Sequence, residues 1–100
     1  MAIDLNSDLG EGVGEHADEH DATLLNIVSS ANVACGGHAG DADSMSRVCD
    51  IATAKKVAIG AHVSYPDRDG FGRRATSHTA EQLVEQLLGQ TLDLEAAAIA

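Results

Sequence analysis

One hundred residues with 44% hydrophobic and 22% charged side chains describe a globular chain, neither disordered nor fibrous. Sixteen acids against six Lys and Arg give a net charge of −10, and no Lys or Arg precedes Arg47. Binding a phosphate backbone needs clustered cations, and anionic lipid repels an acidic surface. Neither nucleic acid nor a membrane is an expected partner.

Seventeen of the 44 hydrophobic residues are Ala, with one Phe, one Tyr and no Trp. Ala buries little area, so the core material is limited and the chain is one domain at most, or a portion of one. The opening MAIDLNSDLGEG has no basic and apolar regions of a secretory signal, and no apolar run approaches the ~20 residues of a membrane span. Cys35 and Cys49 then read as free thiols in a cytoplasmic protein.

In chain order, Ile3 to Asn6 is a short extended segment, and Asp21 to Val28 a short helix with Leu24, Leu25 and Val28 at helical spacing. Ser30 to Cys35 is small and apolar, as a strand buried on both faces would be. Asp41 to Lys56 is a helix with Asp41 as N-cap and Met45, Val48, Cys49 and Ala52 forming one stripe. Val57 to His62 is a second buried-type strand. Thr79 and Gln82 have capping-box spacing ahead of a helix striped by Leu83, Val84, Leu87, Leu88 and Leu92, which Gly89 weakens without ending. Strands alternating with long helices predict parallel βαβ units, about three of them. A complete (β/α)8 barrel takes about 250 residues, so the alternatives are a small open α/β domain or the opening portion of a barrel.

The chemically interesting residues follow the strands. DLNSDLGEG, CGGHAGD and HVSYPDRDGFGRR each leave a strand at its carboxyl end, where parallel α/β folds build their sites. Asp4, Asn6, Asp8, Glu11, His38, Asp41, His62, Asp67, Arg73 and Arg74 are therefore expected around one mouth. Asp4, Asn6 and Asp8 alternate along an extended segment and can line one face. With His38 and His62 they make a mixed oxygen and nitrogen set, suited either to a divalent metal or to general acid–base work without one. The plainer alternative is that the acids are solvated or bonded to turn amides.

Gly36, Gly37 and Gly40 around His38 make either a tight turn or a cradle for a carboxylate or phosphate. Cys35 reads as a small buried hydrophobe. Arg68, Arg73 and Arg74 are half of all Lys and Arg, and either bind an anion or pair internally with Asp67 and Asp69. Phe71, between two glycines, is a lid or a plug. His16 and His20 sit among acids on a solvated face.

The motifs DLNSDLGEG, SANVACGGHAGD, GAHVSYPD and DGFGRR, in this order, resemble the LamB/YcsF family. The resemblance runs from Asp4 to Arg74, and the helix beyond fits too. It implies a parallel (β/α) barrel of the deacetylase-like type, with residues 1–100 its N-terminal portion of about three βα units. It also implies ATP-dependent ring opening of 5-oxo-L-proline to L-glutamate, ADP and phosphate, alongside 5-oxoprolinase subunits B and C. Carried onto this chain, Asp8, His38 and His62 would be catalytic, and Asn6, Glu11, Asp41, Arg73 and Arg74 would bind substrate or phosphate. Any divalent metal would sit on Asp4, Asp8, His38 and His62. Val63 stands where the family commonly has Pro, Ser7 where Cys or Ala is frequent, and the family's Lys-Pro-His-Gly strand is absent. Two other readings stay open: a metal-dependent amidohydrolase or polysaccharide deacetylase that needs no ATP, and a non-catalytic binding or assembly module.

A partial barrel has open strand edges and an uncovered apolar interior, so the isolated chain is expected to self-associate. Sedimentation and thermal unfolding check this: a monomer with a sharp two-state transition contradicts it.

Overall fold

The computed structural model describes residues 2–12 and 16–99 of the chain. Six elements alternate: β1 Asn6–Leu9, α1 Ala17–Leu25, β2 Ser30–Ala34, α2 Ala42–Ala54, β3 Ala58–His62 and α3 Ala80–Ile99. The strands form one parallel sheet in the order β1-β2-β3. This is the expected α/β class, and three consecutive βα units in sequential order are consistent with part of a barrel wall. Among the described residues no helix is long and apolar enough to cross a membrane.

Alternation along the strands divides the sheet into two unlike faces. Leu9, Ala31 and Val33 point into the core with Met45, Val48, Cys49 and Ala52 of α2, Leu25 of α1 and Leu94 of α3. Asn6, Asp8 and Asn32 point the other way and are hydrogen-bonded to one another across β1 and β2. The expectation of an apolar interior is therefore corrected. The sheet face away from the helices is polar, and the exposed apolar side chains lie on α3 instead.

Element boundaries differ from the hydrophobic pattern where local chemistry competes with it. The first strand starts at Asn6 rather than Ile3, because Ile3 and Leu5 are exposed and Leu5 is hooked to the start of β2 by other means. Its N–H donates to Ser29 Oγ, and its carbonyl accepts from Ser29 N and Ser30 N. The first helix spans Ala17–Leu25, with Asp18 and Glu19 in its first turn matching the helix dipole. Val28 packs against the core from outside that helix. The N-cap of α2 is Asp41 as expected, within a capping box whose other member is Ser44. Thr79 and Gln82 form the expected reciprocal pair ahead of α3.

The expected stripe on α3 splits in two. Leu83 and Leu87 are partly buried, whereas Val84, Leu88 and Leu92 are exposed. The buried line runs through Leu87, Gln90, Leu94 and Ala97, placing an amide where an aliphatic residue is expected. Both cysteines are buried and free, and burial pushes both thiols upward from the usual range.

Leu25→Ala, at a side chain 1% exposed, is expected to cost about 2–5 kcal/mol. Leu92→Ala on the exposed line of α3 is expected to stay within about 0.5 kcal/mol. Urea unfolding midpoints of the two variants measure the contrast.

Candidate functional site

Three strand exits meet above the sheet. Glu11 lies just past β1, His38 in the glycine-rich loop after β2, and His62 is the last residue of β3. His38 Nε2 is 2.5 Å from Glu11 Oε2, and the His62 Nδ1 atom lies 3.4 Å from the same oxygen and 3.7 Å from Asp8 Oδ1. The imidazole centroids are 4.4 Å apart. His38 is almost wholly buried, with Glu11 and His62 partly open to a cleft of about 520 Å³.

The loop after β2 can carry His38 this deep because of its glycines. Gly40 has φ +82°, and a Cβ there would meet the carbonyl oxygens of Ala34 and Gly10 at 3.0 Å. Arg68 ties this loop down by donating from Nη1 to the carbonyls of Gly36 and Gly40. It serves the turn.

From the β3 side, Tyr65 to Arg74 folds across the cleft. Asp67 organises it, accepting from Gly70 N, Arg74 N and the Arg74 guanidinium. That guanidinium and the backbone donors hold the Asp67 carboxyl at about 2. Phe71, at φ 56°, sets its ring edge-on to His38 with centroids 4.8 Å apart. Gly72 passes so close that a Cβ would lie 2.9 Å from His38 Cβ. Arg73 stacks over Phe71 at 5.7 Å and lines the cleft beside Asp8, Glu11 and the two histidines.

The structure therefore gathers Asp8, Glu11, His38, His62 and Arg73 at one cleft. Four other candidates are engaged elsewhere. The Asp4 carboxylate accepts from Ser29 and Ser30 at the opposite end of β1, which lowers its pKa. Asn6 bridges Ser30 and Asn32 on the polar sheet face. The Asp41 side chain caps α2, and its carboxyl is lowered chiefly by the Ser44 N–H. Arg74 is paired with Asp67.

Three residues of the site stand outside the motifs. Asn32 donates to both Asn6 and Asp8, Ser64 lies 3.1 Å from His38 Nδ1, and Gln90 of α3 bonds to the Ser64 backbone. Asn32 and Gln90 carry a sequence signal, each being an amide on an otherwise apolar element. Ser64 carries none.

Glu11, His38 and His62 each offer one ligand atom, and these atoms lie within 4.8 Å of one another. One carboxylate and two imidazoles form a mixed donor set suited to zinc- or manganese-type divalent ions. His62 Nδ1 supplies the test of fit. It is buried, without a hydrogen-bond partner, and turned toward two carboxylates. A buried orphan of this kind carries a desolvation cost that a bound cation would remove.

The LamB/YcsF family profile matches residues 3–100, and the chain belongs to that family. A protein of Pseudomonas syringae pv. tomato, named as the third A-type subunit of 5-oxoprolinase in that organism, is 52% identical over 94 residues, covering 94% of this chain and 37% of that protein. The A-type 5-oxoprolinase subunit of Streptomyces coelicolor is 53% identical over 88 residues, covering 88% of this chain and 35% of that one. The crystal structure of a lactam utilization protein from Thermus thermophilus superposes with a TM-score of 0.85 at 41% identity. The superposition covers 97% of this chain and 39% of that one. The chain thus spans under two fifths of the length of these relatives.

Because the Asp67 carboxyl is depressed when folded, its hold on the loop is complete above the ordinary carboxylate range and is lost as pH falls through about 2. Asp67→Asn is expected to free residues 68–74 at every pH. Limited proteolysis at neutral pH checks it: cleavage there should appear in the variant and be absent in the parent.

Proposed function

We propose that this chain carries part of the active site of a 5-oxoprolinase, as the N-terminal portion of a (β/α) barrel acting with subunits B and C. The reaction is ATP-dependent hydrolytic opening of the lactam of 5-oxo-L-proline to L-glutamate, with ADP and phosphate. The observation that carries the reading is the Glu11–His38–His62 cluster at the strand exits of a LamB/YcsF chain. The relatives' printed names support the substrate class.

The chemistry suits the residues. A lactam carbonyl is a poor electrophile, and phosphorylating its oxygen converts that oxygen into a leaving group. Arg73, the cation lining the cleft, is placed to offset charge on an incoming phosphate. Glu11 and Asp8 are the carboxylates placed to accept a proton from water, and His38 and His62 to hand one on to the departing nitrogen. Phe71 and Tyr65 narrow the cleft against bulk water. Glu11, His38 and His62 would hold a divalent ion, with Asp8 beside them. When bound, the ion would supply Lewis-acid polarisation of a carbonyl or phosphoryl oxygen.

The orphan His62 Nδ1 also favours a second reading, a metal-dependent amidohydrolase or deacetylase that needs no ATP.

Glutamate release from 5-oxoproline by the full-length protein with both partner subunits is the deciding assay. ATP dependence is expected, with His38→Ala and Glu11→Gln lowering kcat by about 10²–10⁴-fold. Turnover of an N-acylated carbohydrate that ignores ATP and stops on chelation would install the second reading. Full activity in a His38→Ala, His62→Ala double variant would make the chain a non-catalytic assembly module.

A further inference from the structure

We propose that Ser64 fixes the tautomer of His38, keeping a proton on Nδ1, and that Gln90 of α3 holds Ser64 in place for that task. Both are positioning residues, and the inference rests on reading the Glu11–His38–His62 cluster as the reactive centre.

Donors and acceptors decide the tautomer. A serine hydroxyl has a single hydrogen. That of Ser64 points to the carbonyl of Tyr65 at 3.0 Å. Toward His38 Nδ1, 3.1 Å away, the same oxygen can then only accept. The ring nitrogen on that side must donate, so Nδ1 carries a hydrogen. Nε2 is left to face Glu11 Oε2 at 2.5 Å and the cleft. This is the nitrogen that must be free to exchange a proton or to bind an ion, and a hydrogen bond at the far nitrogen is how proteins reserve it.

Ser64 lies in a loop, and a loop alone does not hold a hydroxyl to a fraction of an ångström. Gln90 supplies the missing constraint. It is 6% exposed, and it grips the Ser64 backbone at both ends. Ser64 N donates to Gln90 Oε1 at 3.0 Å, and Gln90 Nε2 donates to Ser64 O at 2.9 Å. An amide on the buried line of a helix is costly without partners, and here one residue supplies them. The loop after β2 closes the arrangement from beneath. A Cβ on Gly37 would lie 2.7 Å from both Ser64 Oγ and Gln90 Nε2, so only glycine leaves the pair its room. The helix after β3 thereby sets the proton position on a histidine after β2.

Ring-nitrogen correlation NMR of the full chain, labelled with nitrogen-15 in histidine, tests this, with His38 signals assigned by their loss in His38→Gln. The parent protein is expected to show a protonated Nδ1 on His38 both without metal and with added Zn²⁺. Ser64→Thr should keep that pattern. Ser64→Ala should move the proton to Nε2 in the metal-free protein and weaken Zn²⁺ binding about 10–100-fold. Gln90→Leu should shift the His38 signals in the same direction. A bare Nδ1 in the parent, or an unchanged tautomer in a folded Ser64→Ala, overturns the proposal. The parent spectrum decides even where Ser64→Ala fails to fold. Protonated Nδ1 in a parent that binds no Zn²⁺ supports the Ser64 assignment and counts against the metal reading alone.

Discussion

Parallel pairing of Ser30–Ala34 with Asn6–Leu9 on one side and Ala58–His62 on the other is the constraint from which the cleft follows. Three chain segments that are distant in sequence leave the sheet at one end. Glu11, His38 and His62 need no long-range design beyond that register and three short loops to meet. A slip of one residue would turn Leu9 and Val33 out of the core and Asp8 and Asn32 into it. The same apolar contacts that stabilise the sheet therefore keep the imidazoles over the carboxylates.

Above that register the cleft is held by side chains of the neighbouring loops. Arg68 secures the glycine-rich turn, Asp67 the strap that carries Phe71 and Arg73, and Gln90 the backbone of Ser64. Each partner joins groups that sequence separates by several residues or more. The polar face of the sheet works the same way. Asn32 donates to Asn6 and Asp8 together, so the carboxylate nearest His62 is oriented by the central strand.

How much of this is legible in the sequence depends on whether a local pattern reports the outcome. The helix at Ala42–Ala54 is legible because four apolar residues at helical spacing and one capping Asp agree with the packing. Strands two and three are legible from composition. The first strand starts later than its pattern suggests, since Ile3 and Leu5 look like core and are exposed, while Leu9 alone is buried. In α3 the pattern offers two leucine lines and does not say which faces the sheet; the line containing Gln90 does. The convergence of Asp8, Glu11, His38, His62 and Arg73 is legible from strand exits. The engagement of Asp4 with Ser29 and Ser30, and of Arg74 with Asp67, is not, because such pairings depend on the three-dimensional path of loops.

Cys35 and Cys49 are uncharged, buried and shifted away from the thiolate form. Alkylating reagents react with thiolate, so the native chain offers them almost nothing to attack. Cys35 ends β2 at the foot of the loop bearing His38, and Cys49 lies midway along α2. Their modification rates would thus act as two built-in clocks, one timing the loosening of the turn beneath His38 and the other the parting of helix from sheet.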